Sequence, residues 1–402
     1  MTKTLMTLTV FFIFFGTYGL YLSQYEPMVI NEDVFLKHSL EFFDYKGVLN
    51  IHTDMSIGSE PISKVVIAAK EVGLDFILLT DLNQFHNFEN FETYFDHTLV
   101  LNGGKFSYLD SRLNYYSLEP KKIGSALGEA QIFFSDALSK QRDEEDRGLI
   151  WLAHPFKAGY DWTGEMPAGL DGAEILNLKS LSNQAIRSSK FSVLWSLMIY
   201  PFNPKLALVR LFEEPSEEIN LFDTTSQKRP FIAFAGAEAS ARAIPFADFL
   251  VKFPSYQRLF SSVTTHVVLR SELTGQISSD REKIFSALKA GQSYLALELL
   301  GNPKGFLATV KDGRRSHLMG EKIKFRKNLR LDVELPGEPN SFFEVALYRN
   351  GLRVETANTV QSSFAINEPG VYRVQVRVSP QLPLPDAKKW LTWIYTNNFY
   401  IQ

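Results

Sequence analysis

The residues able to do chemistry in this chain fall where strands should end. Along Val48-Leu49-Asn50-Ile51-His52 a period of two puts Asn50 and His52 on one face and Leu49 and Ile51 on the other, so an amide and an imidazole share one strand end. Asp81 follows a second apolar run, Phe76 to Leu79, and Lys105 follows a glycine turn within HTLVLNGGKFSYLD (97–110). His154 closes GLIWLAHPF (148–156), Glu174 and Asn177 belong to AEILNL (173–178), and FIAFAGAEASA (231–241) enters a polar turn carrying Glu238, Ser240 and Arg242. Polar groups at the carboxyl ends of parallel strands mark the usual place of chemistry in α/β sheets.

The elements that must position these groups begin at residues 47 to 83. They read as strand, polar turn, helix and strand: Pro61 suits a first helical turn behind a Ser59 cap, and Ile62, Val65, Val66, Ala69 and Val72 recur at helical spacing until Gly73 stops the helix. So short a unit makes a right-handed parallel crossover. Phe85, Phe88, Phe91 and Phe95 then recur at roughly helical intervals, as core packing. Residues 112–118 read as a strand, 123–140 as a helix, 181–222 as helical, and 264–297 as strand, helix (281–290) and strand with Gly291 as the stop. The apolar run 192–202 is too short and proline-interrupted to span a bilayer, so it reads as a packed helix or a membrane-facing lid. From about 301 the helical period disappears and short alternating segments take over, as in a small antiparallel β-sandwich of immunoglobulin-like type.

Composition narrows the function classes. The 402 residues carry a net charge of -3 and no clustered Lys and Arg, which argues against nucleic acid as a partner. With no cysteine there is no disulfide, thiolate metal site or cysteine nucleophile. Residues 5–22 are uncharged and apolar, and roughly 17 to 25 such residues span a bilayer as a helix. They read as an uncleaved membrane anchor, with a cleaved signal peptide as the rival. The expected organisation is a signal anchor or signal peptide (1–24), a connecting segment (25–45), an α/β domain (46–300) and the β-sandwich (301–402), on the extracytoplasmic side of the membrane.

Taken in order, NIHTDMSIGS, GLDFILLTD, GGKFS, WLAHPF, GAEILN, AGAEASA and SALKAGQSYLAL resemble the polymerase and histidinol phosphatase (PHP) domain family over roughly residues 46 to 300. The terminal WIYTNNFYI also resembles an appendage of exported members of that family. The resemblance implies a distorted (β/α)7 barrel whose strand ends hold up to three divalent metals for phosphoester hydrolysis. Carried over residue by residue, most of the ligand set is lost. The family's His-x-His is Asn50-Ile51-His52, its Ser-Asp-Gly is Ser56-Ile57-Gly58, and its Thr-Asp-His is Thr80-Asp81-Leu82. The Gly-x-Glu that bridges cations is Gly103-Gly104-Lys105, His154 is kept, and the closing Asp-x-His is Glu238-Ala239-Ser240.

Three readings follow, the last a purely structural envelope protein that uses the sandwich surface and whose pocket binds nothing. In the first the centre is dismantled, Lys105 stands where a metal stood beside Asp81 or Glu238, and the chain is a pseudoenzyme that binds a phosphate-like anion or an envelope protein. In the second, His52, His154 and Glu238 form a reduced two-histidine, one-carboxylate site for a single Zn, Mn or Fe in an active phosphoesterase. Glu174 and Asn177 are expected as rim or structural positions. His38, His86, His97, His266 and His317 are expected to be solvated or packed without a partner.

Overall fold

The structure, a computed structural model, describes residues 2–30, 41–84, 91–119, 123, 127–140, 148–178, 180–181, 184, 190–241, 243–246, 249–252, 254–384, 386 and 388–402. His38, His86, Phe85, Phe88 and Arg242 lie outside them. An apolar helix, α1 (Thr2–Ser23), precedes a mixed α/β body.

In the opening crossover, β1 (Phe43–Ile51), α2 (Ile62–Glu71) and β2 (Phe76–Leu79) are joined as expected, with β1 and β2 parallel. Pro61, not Ser59, holds the N-cap position of α2 and supplies no side-chain bond. Gly73, at φ +66, gives the left-handed stop. The alternation expected through residues 48–52 fails: Asn50 is left-handed (φ +63) and the β1–β2 register shifts between Val48 and Ile51. Leu49 and Ile51 consequently enter different apolar clusters instead of sharing a face.

β3 (Thr93–Phe95), β4 (Thr98–Asn102), β5 (Gly104–Tyr108) and β6 (Ser111–Tyr116) follow, so Phe95 stands in a strand where a helical period was expected. Then come α3 (Leu127–Ser139), β7 (Leu149–Leu152), β8 (Gly172–Asn177), α4 (Lys190–Ile199), α5 (Pro204–Leu211), α6 (Ser216–Ser226) and β9 (Ile232–Gly236). The hairpin β10 (Ala243–Phe246) and β11 (Phe249–Lys252) leads to α7 (Tyr256–Phe260), β12 (Val263–Leu269), α8 (Ile277–Ala290) and β13 (Ser293–Leu297). Strands β5 to β9 form one sheet in chain order, and β13-β12-β1-β2-β4-β3 form a path in another. The two sheets meet through isolated parallel bridges, Ile51 with Ala239 and Leu82 with Lys105.

Period-two positions of β1, β2, β4, β6, β7, β9 and β12, among them Leu49, Leu78, Leu101, Trp151 and Phe234, pack into one apolar cluster. Ile284, Phe285, Ala287 and Leu288 of α8 join that cluster. Outside it a larger core seats the helices on the strands. Burial of this kind, at about 25 cal/mol per Å² of apolar surface, is the main stabilising term.

All the elements after residue 301 are strands: β14 (Leu307–Asp312), β15 (Arg315–His317), β16 (Lys322–Ile323), β17 (Arg330–Glu334), β18 (Phe342–Arg349), β19 (Leu352–Ala357), β20 (Gln361–Ala365), β21 (Gly370–Ser379), β22 (Leu391–Thr396) and β23 (Phe399–Ile401). One sheet runs through both parts, because β13 pairs antiparallel with β22, Leu295 opposite Tyr395. Asn397 adds a second tie: its Oδ1 accepts the Ala233 N–H at 2.8 Å, and its Nδ2 donates to the Ser293 carbonyl at 3.1 Å.

A third tie corrects the expectation for His266. Its buried ring lies between Asp44 Oδ1 (2.9 Å) and Glu298 Oε1 (3.1 Å) and stacks on Tyr294, whose hydroxyl donates to Asp44 Oδ2 at 2.6 Å. Gly305 N–H donates to the same Asp44 oxygen at 3.0 Å, so the cluster pins the start of β1 to the segment entering β14. His317 is also partnered, with Glu321 at 2.7 Å, and exposed His97 lies 3.5 Å from Asp96.

Candidate functional site

Beside the shared cluster the strands and the turns after them carry polar residues. Asn50 is the penultimate residue of β1, Lys105 lies near the start of β5 opposite Asn114 of β6, Glu174 and Asn177 lie in β8, and Glu238 follows β9. Every one is buried, Lys105 at 3% exposure.

Glu174 is the hub. Its Oε1 accepts Asn50 Nδ2 at 2.7 Å and Asn114 Nδ2 at 2.9 Å; its Oε2 accepts Asn177 Nδ2 at 2.6 Å and the His154 N–H at 3.1 Å. Glu174 and Asn177 therefore lie inside a buried hydrogen-bond network, which is the structural and not the rim alternative expected of them. Burial raises the Glu174 carboxyl above the ordinary carboxylate range, while the Lys105 charge and the amide donors pull the other way. Gly236 leaves room for it: a Cβ there would sit 2.4 Å from the Glu174 carboxyl carbon. Gly236→Ala is expected to displace that carboxylate and lower stability by about 1–3 kcal/mol. Urea unfolding measures it, and an unchanged midpoint would mean the carboxylate can retreat freely.

Beside the hub, the Lys105 ammonium forms an ion pair with Glu238 Oε1 and donates to Asn50 Oδ1 at 3.2 Å. Asn50 Nδ2 reaches the same Glu238 oxygen at 3.3 Å, as does His154 Nε2. Burial first, and the Lys105 charge second, hold the His154 imidazole down to about 3, so it is neutral at pH 7. Asn50, His154, Glu238 and Ala241 all take left-handed backbone, a concentration of strain typical of sites whose surroundings over-determine them.

Asp81 is tied elsewhere. Its carboxylate accepts the Thr53 N–H at 2.7 Å, the Thr53 hydroxyl at 2.8 Å and the Ser56 hydroxyl, while its backbone carbonyl accepts the Lys105 N–H at 3.1 Å. Lys105 thus takes Glu238, not Asp81, as its charge partner. His52 is buried one residue past β1, its N–H donating to Ala239 and its carbonyl accepting the Tyr256 hydroxyl at 2.5 Å. Ser240 enters through its carbonyl, which accepts the Ser59 N–H at 3.0 Å.

A divalent metal, which the resemblance implies, does not fit this set. Glu174 already accepts four hydrogen bonds, the amide nitrogen of Asn50 points a donor at both carboxylates, and an ammonium lies against Glu238. Among the described residues no group of three or more His, Asp or Glu side chains is arranged to hold a metal ion; of His52, His154 and Glu238, the last two lie together, His154 Nε2 at 3.3 Å from Glu238 Oε1. Asn114, Thr53 and Ser56 are members the sequence reading missed. The signal for Asn114 was available: it is a polar residue on the inward phase of an aromatic strand, directly across from Lys105.

No protein-family model matches this chain, and no curated protein matches it. Among solved structures it is similar to a two-domain protein from Bacteroides vulgatus ATCC 8482, described as containing a predicted PHP-like metal-dependent phosphoesterase. The two share 12% identity over 92% of this chain and 98% of that one, with a TM-score of 0.39. The function must accordingly be argued from this chain's own site.

Proposed function

We propose that this protein is a membrane-anchored, exported pseudoenzyme. It is built on a distorted (β/α)7 barrel of the PHP type with a C-terminal immunoglobulin-like β-sandwich, and it serves as a non-hydrolytic binding or scaffold module. The barrel reading is supported by the single cluster that seven strands share. The observation that carries the functional reading is the buried Lys105–Glu238 ion pair joined to the saturated Glu174 hub. An ammonium repels the cation that a metallophosphoesterase needs, and the carboxylate it neutralises is lost as a ligand. Because Glu238 pairs with the Lys105 ammonium, a phosphate-like anion would have to displace that carboxylate to bind there, and an envelope protein is the other partner proposed.

Anchoring is supported by α1, long and apolar enough to cross a membrane, and by its last turns, which pack on the body. Asn203 Nδ2 donates to the carbonyls of Leu22 (2.9 Å) and Tyr25 (2.6 Å), an arrangement suited to an uncleaved segment.

The test is elemental analysis of the full chain in detergent, with phosphomonoester and phosphodiester assays in added manganese or zinc. The expected result is less than stoichiometric metal and no turnover. Stoichiometric metal with turnover abolished by His154→Ala or His52→Ala would overturn the reading in favour of an active phosphoesterase.

A further inference from the structure

Among the described residues an apolar helix face beside α1 is exposed. Phe191, Leu194 and Leu197 of α4 are 75%, 56% and 52% exposed, and their spacing of three places them on one side of the helix. An exposed apolar face of this kind marks an interaction site. What covers it follows from how α1 meets the body. Phe15 packs edge-on against Phe202 at 5.4 Å, Tyr18 lies 5.8 Å from Trp195, and Gly19 faces the Phe202 ring so closely that a Cβ would meet it at 2.5 Å. Leu22 is buried with Ile199, Leu206 and Ala207. The last two turns of α1 are therefore held alongside the end of α4 and the start of α5.

Length then decides the depth. The stretch from Lys3 to Phe15 covers only about 18 Å at 1.5 Å per residue. A hydrocarbon core is about 30 Å thick and needs about 20 helical residues. α1 can span it only by using residues 15–22 as well, and those residues carry α4 with them into the boundary of the outer leaflet. Tyr18 brings Tyr21 and Trp195 together at this end of the helix, at 6.3 and 5.8 Å between ring centroids, and such aromatic side chains are enriched toward membrane boundaries.

We infer that α4 is a second, in-plane membrane contact: the body lies against the bilayer with Phe191, Leu194 and Leu197 inserted among lipid chains, fixing the orientation of the barrel relative to the anchor. Such helices bury an apolar face in the headgroup and acyl boundary without spanning it. The inference rests on α1 being retained as an anchor, and the experiment separates the two.

Because the chain has no cysteine, single labels are unambiguous. Full-length Phe191→Cys, Leu194→Cys and Leu197→Cys chains, with Ile132→Cys on exposed α3 as reference, are spin-labelled and reconstituted in phosphatidylcholine/phosphatidylglycerol vesicles. All four positions are exposed, so labelling leaves the core intact. At 194 and 197 the ratio of collisions with oxygen to collisions with a water-soluble nickel chelate should exceed that at 132 several-fold. A ratio equal to that at 132, in chains that still float with vesicles after carbonate washing, would overturn the inference and leave the anchor standing. Release of the chain by carbonate would overturn both. Spin–spin broadening at 194 that disappears on dilution with unlabelled chain would overturn it by showing a second copy, not lipid, on this face.

Discussion

Replacing Lys105 with methionine is expected to destabilise the protein by about 3–5 kcal/mol at neutral pH, the cost of stranding a buried charge. The methionine keeps most of the aliphatic stem and removes only the ammonium. Glu238 then remains buried without the ammonium, and among the groups still beside it Asn50 Nδ2 and His154 Nε2, each at 3.3 Å, carry no charge near neutrality. Glu238→Gln in the same chain should restore most of the loss, giving a coupling near the upper end of the roughly 0.5–3 kcal/mol seen for contacting pairs. Urea unfolding of the four chains in this cycle measures it. A Lys105→Met midpoint equal to the wild type would sink the claim that the ion pair organises the site. An independent readout is His154: burial remains the larger influence on it, but losing the Lys105 charge should move its titration upward from about 3, visible by NMR.

The sequence was most informative where chemistry and period agree. The parallel crossover, the Gly73 stop and the polar strand ends were legible because each is local: a helical repeat, a residue that tolerates left-handed backbone, a polar group ending an apolar run. Asn50 shows the limit. A period of two put it on one face with His52, yet the shift at Val48–Ile51 that breaks this alternation and separates Leu49 from Ile51 depends on pairing with β2 and leaves no trace in the strand itself. Only the family resemblance, which sets Lys105 where a bridging glutamate is expected, implied a carboxylate beside it. Which carboxylate was decided by tertiary geometry, because Thr53 and Ser56 hold the Asp81 side chain. The pairing of β13 with β22, about a hundred residues apart, has no local signature either, and it is what makes the sheet continuous into the C-terminal strands.

His266→Gln should prove comparably costly, at about 3–5 kcal/mol near neutrality, because it removes the cation that lies between Asp44 and Glu298 in a buried site and leaves Lys46 as the positive charge acting on Glu298. The pH dependence gives the sharper test. Burial pushes the imidazole down, but Asp44 and then Glu298 outweigh it and raise the group to about 9 from an ordinary value of 6.5. A folded-state value above the unfolded one means the stabilisation is fully present below about pH 6.5 and is lost as pH rises through 9. The difference corresponds to about 3 kcal/mol. Asp44 and Glu298 are both held below the carboxylate range against their burial, chiefly by His266, so their share is present above their unfolded values and lost on acidification. These shifts describe one set of contacts and count once. The wild-type advantage over His266→Gln should therefore be greatest between about pH 5 and 7 and shrink toward pH 10. Denaturant unfolding across that range, wild type against variant, decides it: a difference independent of pH would mean that His266 acts through packing on Tyr294 and not as the charged pin between the start of β1 and the segment entering the C-terminal strands.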